Sequence, residues 1–134
     1  MTQQVQKWET IDINKVHEAL SNPIATDIFR HIAGNGKWTT VDQISPLAPS
    51  VKRFYTNINK LKEAGLLSKE NGRYFLTSLG RIVAVQEEMV YRAIKMFWSL
   101  KTLDILKPQM PTEDFQKMVE HLIQDSSLCK TILQ

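Results

Sequence analysis

Apolar side chains recur every three to four residues in several stretches of the chain, and this spacing predicts helices. The first helix begins after Asp12, and Ser21-Asn22-Pro23 separates it from a second. Asn22 suits the cap of that second helix, and Pro23 suits its first position, where a missing N–H costs nothing. Gly34-Asn35-Gly36 ends it. The apolar positions are Ile13, Val16, Leu20, Ile24, Ile28, Phe29 and Ile32.

The middle of the chain predicts a short strand, a brief helix, a turn and then a longer helix. These elements are Lys37-Trp38-Thr39, Val41 to Ser45, Pro46 to Pro49 and Ser50 to Ala64. Ser50 is the predicted N-cap of the longer helix, because its side-chain oxygen can accept from the first free N–H groups. Gly65 provides its stop.

A hairpin is predicted directly after this helix. Two short runs, Leu66 to Glu70 and Arg73 to Leu76, have the composition of strands and flank Asn71-Gly72. An Asn-Gly pair favours the tight hairpin turn, because that turn requires positive φ at both central residues.

The remaining chain predicts helices only. Thr77 caps a long helix from Ser78 to about Leu106, and further helical segments run from Thr112 to about Gln124 and from Leu128 to Leu133. The fold class is therefore mainly α with a small β-hairpin. We expect a flexible N-terminus at residues 1–11, a compact domain at 12–77 and a helical region at 78–134.

The helix after Ser50 divides into an apolar and a polar arc when it is drawn at 3.6 residues per turn. The apolar arc predicts a core stripe of Val51, Phe54, Ile58 and Leu61. Opposite it lie Lys52, Arg53, Thr56 and Lys60, with Asn57 and Asn59 on the flanks. Basic and short hydrogen-bonding side chains of this kind suit either a solvated surface or contact with nucleic acid.

Charge placement separates this region from the rest. The chain of 134 residues has a formal net charge of +3. Residues 50–76 carry six basic and two acidic side chains, whereas residues 79–134 carry seven of each. The positive excess therefore lies on the predicted helix and hairpin, where it favours a polyanionic partner.

The order of elements, together with three short motifs, resembles the winged helix-turn-helix of small bacterial and archaeal regulators of the ArsR, MarR and PadR type. The motifs are Leu20-Ser21-Asn22-Pro23, the run from Ile58 to Leu67 and the run from Arg73 to Gly80. The resemblance covers Asp12 to Gly80. It implies a transcription regulator that binds double-stranded DNA, with helix 50–64 in the major groove and wing 66–76 on the flanking backbone or minor groove.

Nine side chains are the predicted DNA-binding residues. They are Ser50, Lys52, Arg53, Tyr55, Thr56, Asn57, Lys60, Lys69 and Arg73. Lysine and arginine would neutralise phosphates, and asparagine and threonine would approach base edges. The alternative function is a protein-binding module of the transcription machinery, because winged helices also serve as interaction domains.

Apolar residues of the predicted long helix favour a homodimer, since a lone domain cannot cover so long a helix. The predicted interface is Leu79, Val83, Val90, Ala93, Phe97 and Leu100. Ile94, Trp98 and Ile105 widen this apolar surface, and the helix after Thr112 is expected to cover part of it. An intrachain helical hairpin without a partner is the alternative.

Other kinds of site have little support in the sequence. Cys129 is the only cysteine, and His17, His31 and His121 are scattered, so we expect no metal and no cofactor. No phosphate loop or nucleophile elbow is present, and an enzyme is not expected. The chain shows no signal peptide or membrane span, which favours a cytoplasmic, nucleoid-associated protein. The sequence leaves open a small-molecule or protein effector.

Overall fold

The computed structural model of the protein describes residues 11–134. The predicted flexible N-terminus, 1–11, lies outside the described residues except for Ile11. The described chain is mainly helical and has one small antiparallel sheet, which confirms the fold class at that level.

The first two helices form where the apolar spacing and the caps predict them. Helix α1 is Ile13–Ser21 and helix α2 is Pro23–Asn35. The side chain of Asn22 accepts a hydrogen bond from the N–H of Ile24 at 2.9 Å, so that α2 begins abruptly after α1. Ile13, one of the apolar positions that predict α1, is not part of the core. It is 63% exposed, because it lies in the first turn of α1 and beyond the core.

A short strand and two helical segments follow. Strand β1 is Trp38–Thr40, helix α3 is Val41–Ile44, and a single 3-10 turn, Ser45–Leu47, leads towards the next helix. Helix α4 is Val51–Glu63. The Ser50 hydroxyl accepts from the N–H of Arg53 at 3.2 Å, which confirms the predicted cap.

The hairpin completes a three-stranded sheet. Strand β2 is Leu67–Glu70, strand β3 is Arg73–Leu76, and the strand order is β1-β3-β2 with both pairings antiparallel. Asn71 and Gly72 have φ values of 51° and 75°. Positive φ at both central residues confirms the predicted turn.

The first core lies between the helices and the inner face of the sheet. Phe29, Ile44, Phe54 and Tyr74 are buried there, each contributed by a different element. Helices α1, α2 and α4 contact one another pairwise. The remaining buried apolar members are Val16, Ala19, Ala25, Ile28, Ile32, Ile58, Leu61, Ala64, Leu66 and Leu67.

The predicted long helix is two helices. Helix α5 is Ser78–Lys95 and helix α6 is Phe97–Leu106. Between them Met96 leaves the helical region, with φ −102° and ψ 21°. Its N–H bonds to the carbonyl of Ala93, three residues back, which tightens the turn and interrupts the α-helical ladder.

The C-terminal helices surround a second core. Helix α7 is Thr112–Leu122 and helix α8 is Ser126–Ile132. Leu103, Phe115, Val119, Ile123 and Leu128 are buried together. Helix α7 therefore covers part of α6, as predicted.

One charged side chain ties α5 to the start of α8. Asp125 accepts from the Nε of Arg92 at 2.7 Å and from the backbone N–H of Leu128 at 3.2 Å. The guanidinium of Arg92, followed by the Leu128 N–H, lowers the pKa of Asp125 below its ordinary value. The carboxylate thus acts both as an ion-pair partner and as a helix cap.

The chain divides into two compact units after Ala84, so that the second unit is Val85–Gln134. The predicted boundary was between residues 77 and 78. The division between the compact units lies later because the first turns of α5 belong to the first unit, where Val83 and Ala84 pack against the first core. Among the described residues, no helix has the length and the apolar character needed to cross a membrane.

Candidate nucleic-acid interface

The exposed face of α4 carries basic and hydroxyl side chains close together. Lys52, Arg53 and Thr56 are all exposed in the first two turns of the helix. The Thr56 hydroxyl donates to the carbonyl of Lys52 at 2.8 Å, which fixes its position while leaving its oxygen able to accept. Ser50 lies at the start of this helix, where backbone N–H groups favour an anion. The structure brings these four predicted residues to one end of the helix.

The structure corrects the prediction that Asn57 is an exposed DNA-binding residue. We predicted it at the edge of the exposed arc, but the structure buries it to 3% exposure. Its Nδ2 donates to the carbonyl of Arg53 at 2.7 Å, and its Oδ1 is buried without a hydrogen-bond partner among the described residues. Asn57 lies in the middle of α4, and α1 and α2 both pack against this helix. Its amide is therefore not presented to a ligand in this conformation.

Two exposed residues of α4 lie outside the nine predicted DNA-binding residues, although the sequence pattern already placed Asn59 on a flank of the polar arc. Asn59 lies three residues after Thr56, on the same face, and is exposed. Its angle on the helical wheel was sufficient to identify it. Val51, which we predicted in the core stripe, is 71% exposed because it occupies the first turn, beyond the reach of the core. An exposed branched apolar side chain at this position could contact a thymine methyl group.

Lys60 lies apart from the other basic residues of α4. It is half-buried and lines a shallow cavity of about 100 Å³ together with Glu18 and Glu63. The predicted polar arc is thus divided: its N-terminal part is basic, and its C-terminal part borders carboxylates.

Tyr55 is exposed, but its ring also packs against a core residue. Its ring makes an edge contact with Phe54, at 5.0 Å between centroids, while the residue remains 41% exposed. The hydroxyl can therefore serve an external acceptor while the ring packs.

Both basic residues of the hairpin lie over aromatic rings. The Nζ of Lys69 is 5.5 Å from the centroid of the Tyr74 ring, and the Cζ of Arg73 is 4.1 Å from that of the Trp38 ring. Trp38 is 37% exposed, whereas Tyr74 is buried. Tyr74 therefore belongs to the core, whereas Trp38 pairs with Phe75 in the strand register on the other face of the sheet.

The basic side chains at the N-terminal end of α4 and on the hairpin have no carboxylate partner within the described residues. Lys52, Arg53, Lys69 and Arg73 form no ion pair with any carboxylate among residues 11–134. Glu70 stands opposite Arg73 in the strand register without forming an ion pair with it. The exposed end of α4 and the hairpin therefore each offer unpaired cations to an anionic ligand.

The six predicted interface residues divide between core and surface. Val83 packs against the first core, and Ala93 and Leu100 pack against the second, so intrachain neighbours cover each of these three in part. Val90 and Phe97 are 57% and 53% exposed. Leu79 is partly exposed near Gly65. The other strongly exposed apolar residues of the second unit are Val85, Ile94, Trp98 and Ile105.

Within residues 11–134, no group of three or more His, Cys, Asp and Glu side chains is arranged to hold a metal ion. Cys129 is a half-buried free thiol whose Sγ donates to the carbonyl of Ile123 at 2.9 Å.

Three comparisons with known proteins, against family models, curated proteins and solved structures, each found no match.

Proposed function

We propose that the protein is a dimeric transcription regulator that binds double-stranded DNA in a sequence-specific manner. Residues 12–77 would form a winged helix-turn-helix, with α3 and α4 as the helix-turn-helix and β2–β3 as the wing. The observation that carries this proposal is the exposed N-terminal end of α4, where Ser50, Lys52, Arg53 and Thr56 are presented together.

The arrangement of elements supports the proposal. A short helix, a turn and a longer capped helix precede the hairpin, and the longer helix keeps one face free of its own core. An α-helix fits the major groove of B-DNA, and its N-terminal residues reach the base edges in helix-turn-helix proteins. The unpaired cations suit phosphate oxygens, which account for most protein–DNA hydrogen bonds.

Individual side chains would have different roles. Lys52 and Arg53 would bind phosphates or guanine edges, while Thr56 and Asn59 would contact bases. Lys69 and Arg73 of the hairpin would bind the backbone. Asn57, being buried, is removed from the proposed reading surface.

The experiment is DNA binding by the full chain at several salt concentrations. Wild-type protein should select specific fragments from genomic DNA at physiological salt with competitor DNA present. Lys52→Ala combined with Arg53→Ala should weaken binding to all sequences. The combination should also flatten the dependence of log K on log salt by about 0.9 for each phosphate that the variant no longer neutralises.

The matched control removes the same charge elsewhere. Lys117 and Lys130 are exposed in the second unit, outside the proposed surface. Lys117→Ala combined with Lys130→Ala should leave the salt dependence close to that of the wild type. If the variant with Lys52→Ala and Arg53→Ala also binds specific and random DNA as the wild type does, the DNA-binding surface is assigned wrongly.

The proposed protein partner is a second copy of the chain, which would form a homodimer. Val90, Ile94, Phe97 and Trp98 are all more than half exposed within the second unit. Val90 and Ile94 are four residues apart and share one face of α5. So many exposed large apolar side chains exceed the scattered ones that monomeric proteins usually show, which favours a homodimer interface.

A further inference from the structure

The outer face of the sheet places an arginine of the hairpin against a tryptophan from another strand. Trp38 belongs to β1, and Arg73 is the first residue of β3. In the strand register Trp38 pairs with Phe75, so Arg73 is its diagonal neighbour on the same face. The Cζ of Arg73 lies 4.1 Å from the centroid of the Trp38 ring, well inside the range of a cation–π contact.

The carboxylate of Glu70 lies where it could form an ion pair with the guanidinium of Arg73. Glu70 is the direct register partner of Arg73 across the hairpin, and the two residues share the outer face. An Arg–Glu pair at this position would be an ordinary cross-strand ion pair. The structure shows the stack on Trp38 instead, and no carboxylate among residues 11–134 forms an ion pair with Arg73.

The stack and the ion pair have opposite consequences for an external anion. A guanidinium paired with Glu70 would be neutralised, and its donors would be occupied. A guanidinium stacked on an indole keeps its charge, and its N–H groups remain available for oxygen acceptors. The stack also restricts a long side chain that would otherwise lose conformational freedom when it binds.

We propose that Trp38 is a positioning residue for phosphate binding: its indole holds the Arg73 guanidinium away from Glu70, ready for a backbone phosphate of duplex DNA. The inference rests on the proposed function, since it assigns a role to β1 in the same DNA-binding surface. Trp38 acts only through Arg73, so its contribution disappears when Arg73 is removed.

The test is a double-mutant cycle on affinity for a labelled random-sequence DNA duplex. Trp38→Leu should weaken binding about two- to five-fold, the range expected for an exposed cation–π contact. In the Arg73→Ala background Trp38→Leu should have no further effect. Trp38→Phe keeps an aromatic face and should retain most of the affinity.

Lys69 supplies the matched control, because it lies over Tyr74 on the other face of the hairpin. Trp38→Leu and Lys69→Ala should weaken binding independently, with multiplicative effects. Glu70→Gln should restore the affinity that Trp38→Leu removes, because the competing carboxylate is then gone. Equal effects of Trp38→Leu with and without Arg73 would overturn the inference and leave Trp38 with a structural role.

One measurement on the free wild-type protein does not depend on any variant folding. NMR should show the side-chain protons of Arg73 shifted upfield by the indole ring current, and unshifted protons would overturn the inference. The proposed function fails separately, if the wild-type chain does not bind duplex DNA. If the wild type binds while the Trp38 and Arg73 effects are independent, only the inference fails.

Discussion

At the scale of single residues, Asn57 shows what the helical pattern did not reveal. Its place on the wheel, between the apolar and polar arcs, was assigned correctly, but the orientation of α4 against α1 and α2 turns it inward. Val51, on the other edge of the apolar arc, is turned outward at the helix start. The burial of Asn57 arises from packing among elements that are distant in sequence, and the exposure of Val51 arises from its place in the first turn, beyond the core. The pattern of one helix shows neither.

Replacing Asn57 by leucine should stabilise the protein. Leucine has the same number of side-chain heavy atoms and removes a buried oxygen that has no donor within the described residues. An unsatisfied buried polar group costs about 1–3 kcal/mol, and removal of the hydrogen bond to the Arg53 carbonyl offsets about 1 kcal/mol of that gain. We expect the free energy of unfolding in urea to rise by about 1 kcal/mol.

The control is Asn59→Leu on the exposed face of the same helix, which should change the free energy of unfolding by less than about 0.5 kcal/mol. A loss of stability in Asn57→Leu relative to this control would show that the Asn57 carbonyl finds a donor in solution, such as a buried water.

At the scale of elements, local signals in the sequence located most boundaries. Asn22, Ser50 and Thr77 cap helices as predicted, and Asn71-Gly72 forms the hairpin turn, because each of these features depends on neighbouring backbone groups alone. The break at Met96 has no such signal, since neither glycine nor proline lies there. The exposure of Ser50, Lys52, Arg53 and Thr56 on α4 agrees with the predicted polar arc, whereas the exposed amide of this helix is that of Asn59 and not that of Asn57.

The junction between the hairpin and α5 requires a glycine at position 80. A Cβ on Gly80 would lie 2.2 Å from the carbonyl oxygen of Leu66, which itself accepts from the N–H of Thr77 at 3.1 Å. Gly80→Ala must therefore displace backbone at the start of α5. We expect the free energy of unfolding to fall by about 1–3 kcal/mol, as in overpacked cores.

Gly34 is the matched glycine for this test. It lies near the end of α2 in ordinary helical space, and a Cβ there would meet nothing within 4 Å. Gly34→Ala should raise the free energy of unfolding by up to about 1 kcal/mol, because alanine restricts the unfolded chain. Equal effects of the two substitutions in urea titrations would contradict the close approach at Gly80.

At the scale of the whole molecule, apolar surface on the second unit remains after intrachain packing is complete. Ala93 and Leu100 pack against the second core and are partly buried there by neighbouring helices of the same chain. Phe97 and Trp98 remain 53% and 74% exposed and contact each other edge to face at 5.3 Å. The intrachain hairpin and the dimer are thus compatible: α7 covers one side of α6, and a second copy would cover the exposed residues.

Val90→Lys combined with Phe97→Lys should convert a dimer into a monomer. Fully burying a large apolar side chain contributes about 1.5–3 kcal/mol, and placing an ammonium group there instead removes that gain and adds a desolvation cost. Sedimentation equilibrium at tens of micromolar should give a dimer for the wild type and a monomer for the variant. Gln116→Lys combined with Gln124→Lys adds the same charge at exposed polar positions and should remain dimeric.

The oligomeric state and DNA specificity should change together. A two-fold symmetric dimer presents two α4 helices and reads an inverted repeat, whereas one helix makes few base contacts. The Val90 and Phe97 variant should therefore lose preference for its specific site before it loses affinity for random DNA, as measured by competition at physiological salt. A wild-type chain that is monomeric at tens of micromolar and still binds an asymmetric site tightly would contradict the dimer and leave the exposed apolar residues without this role.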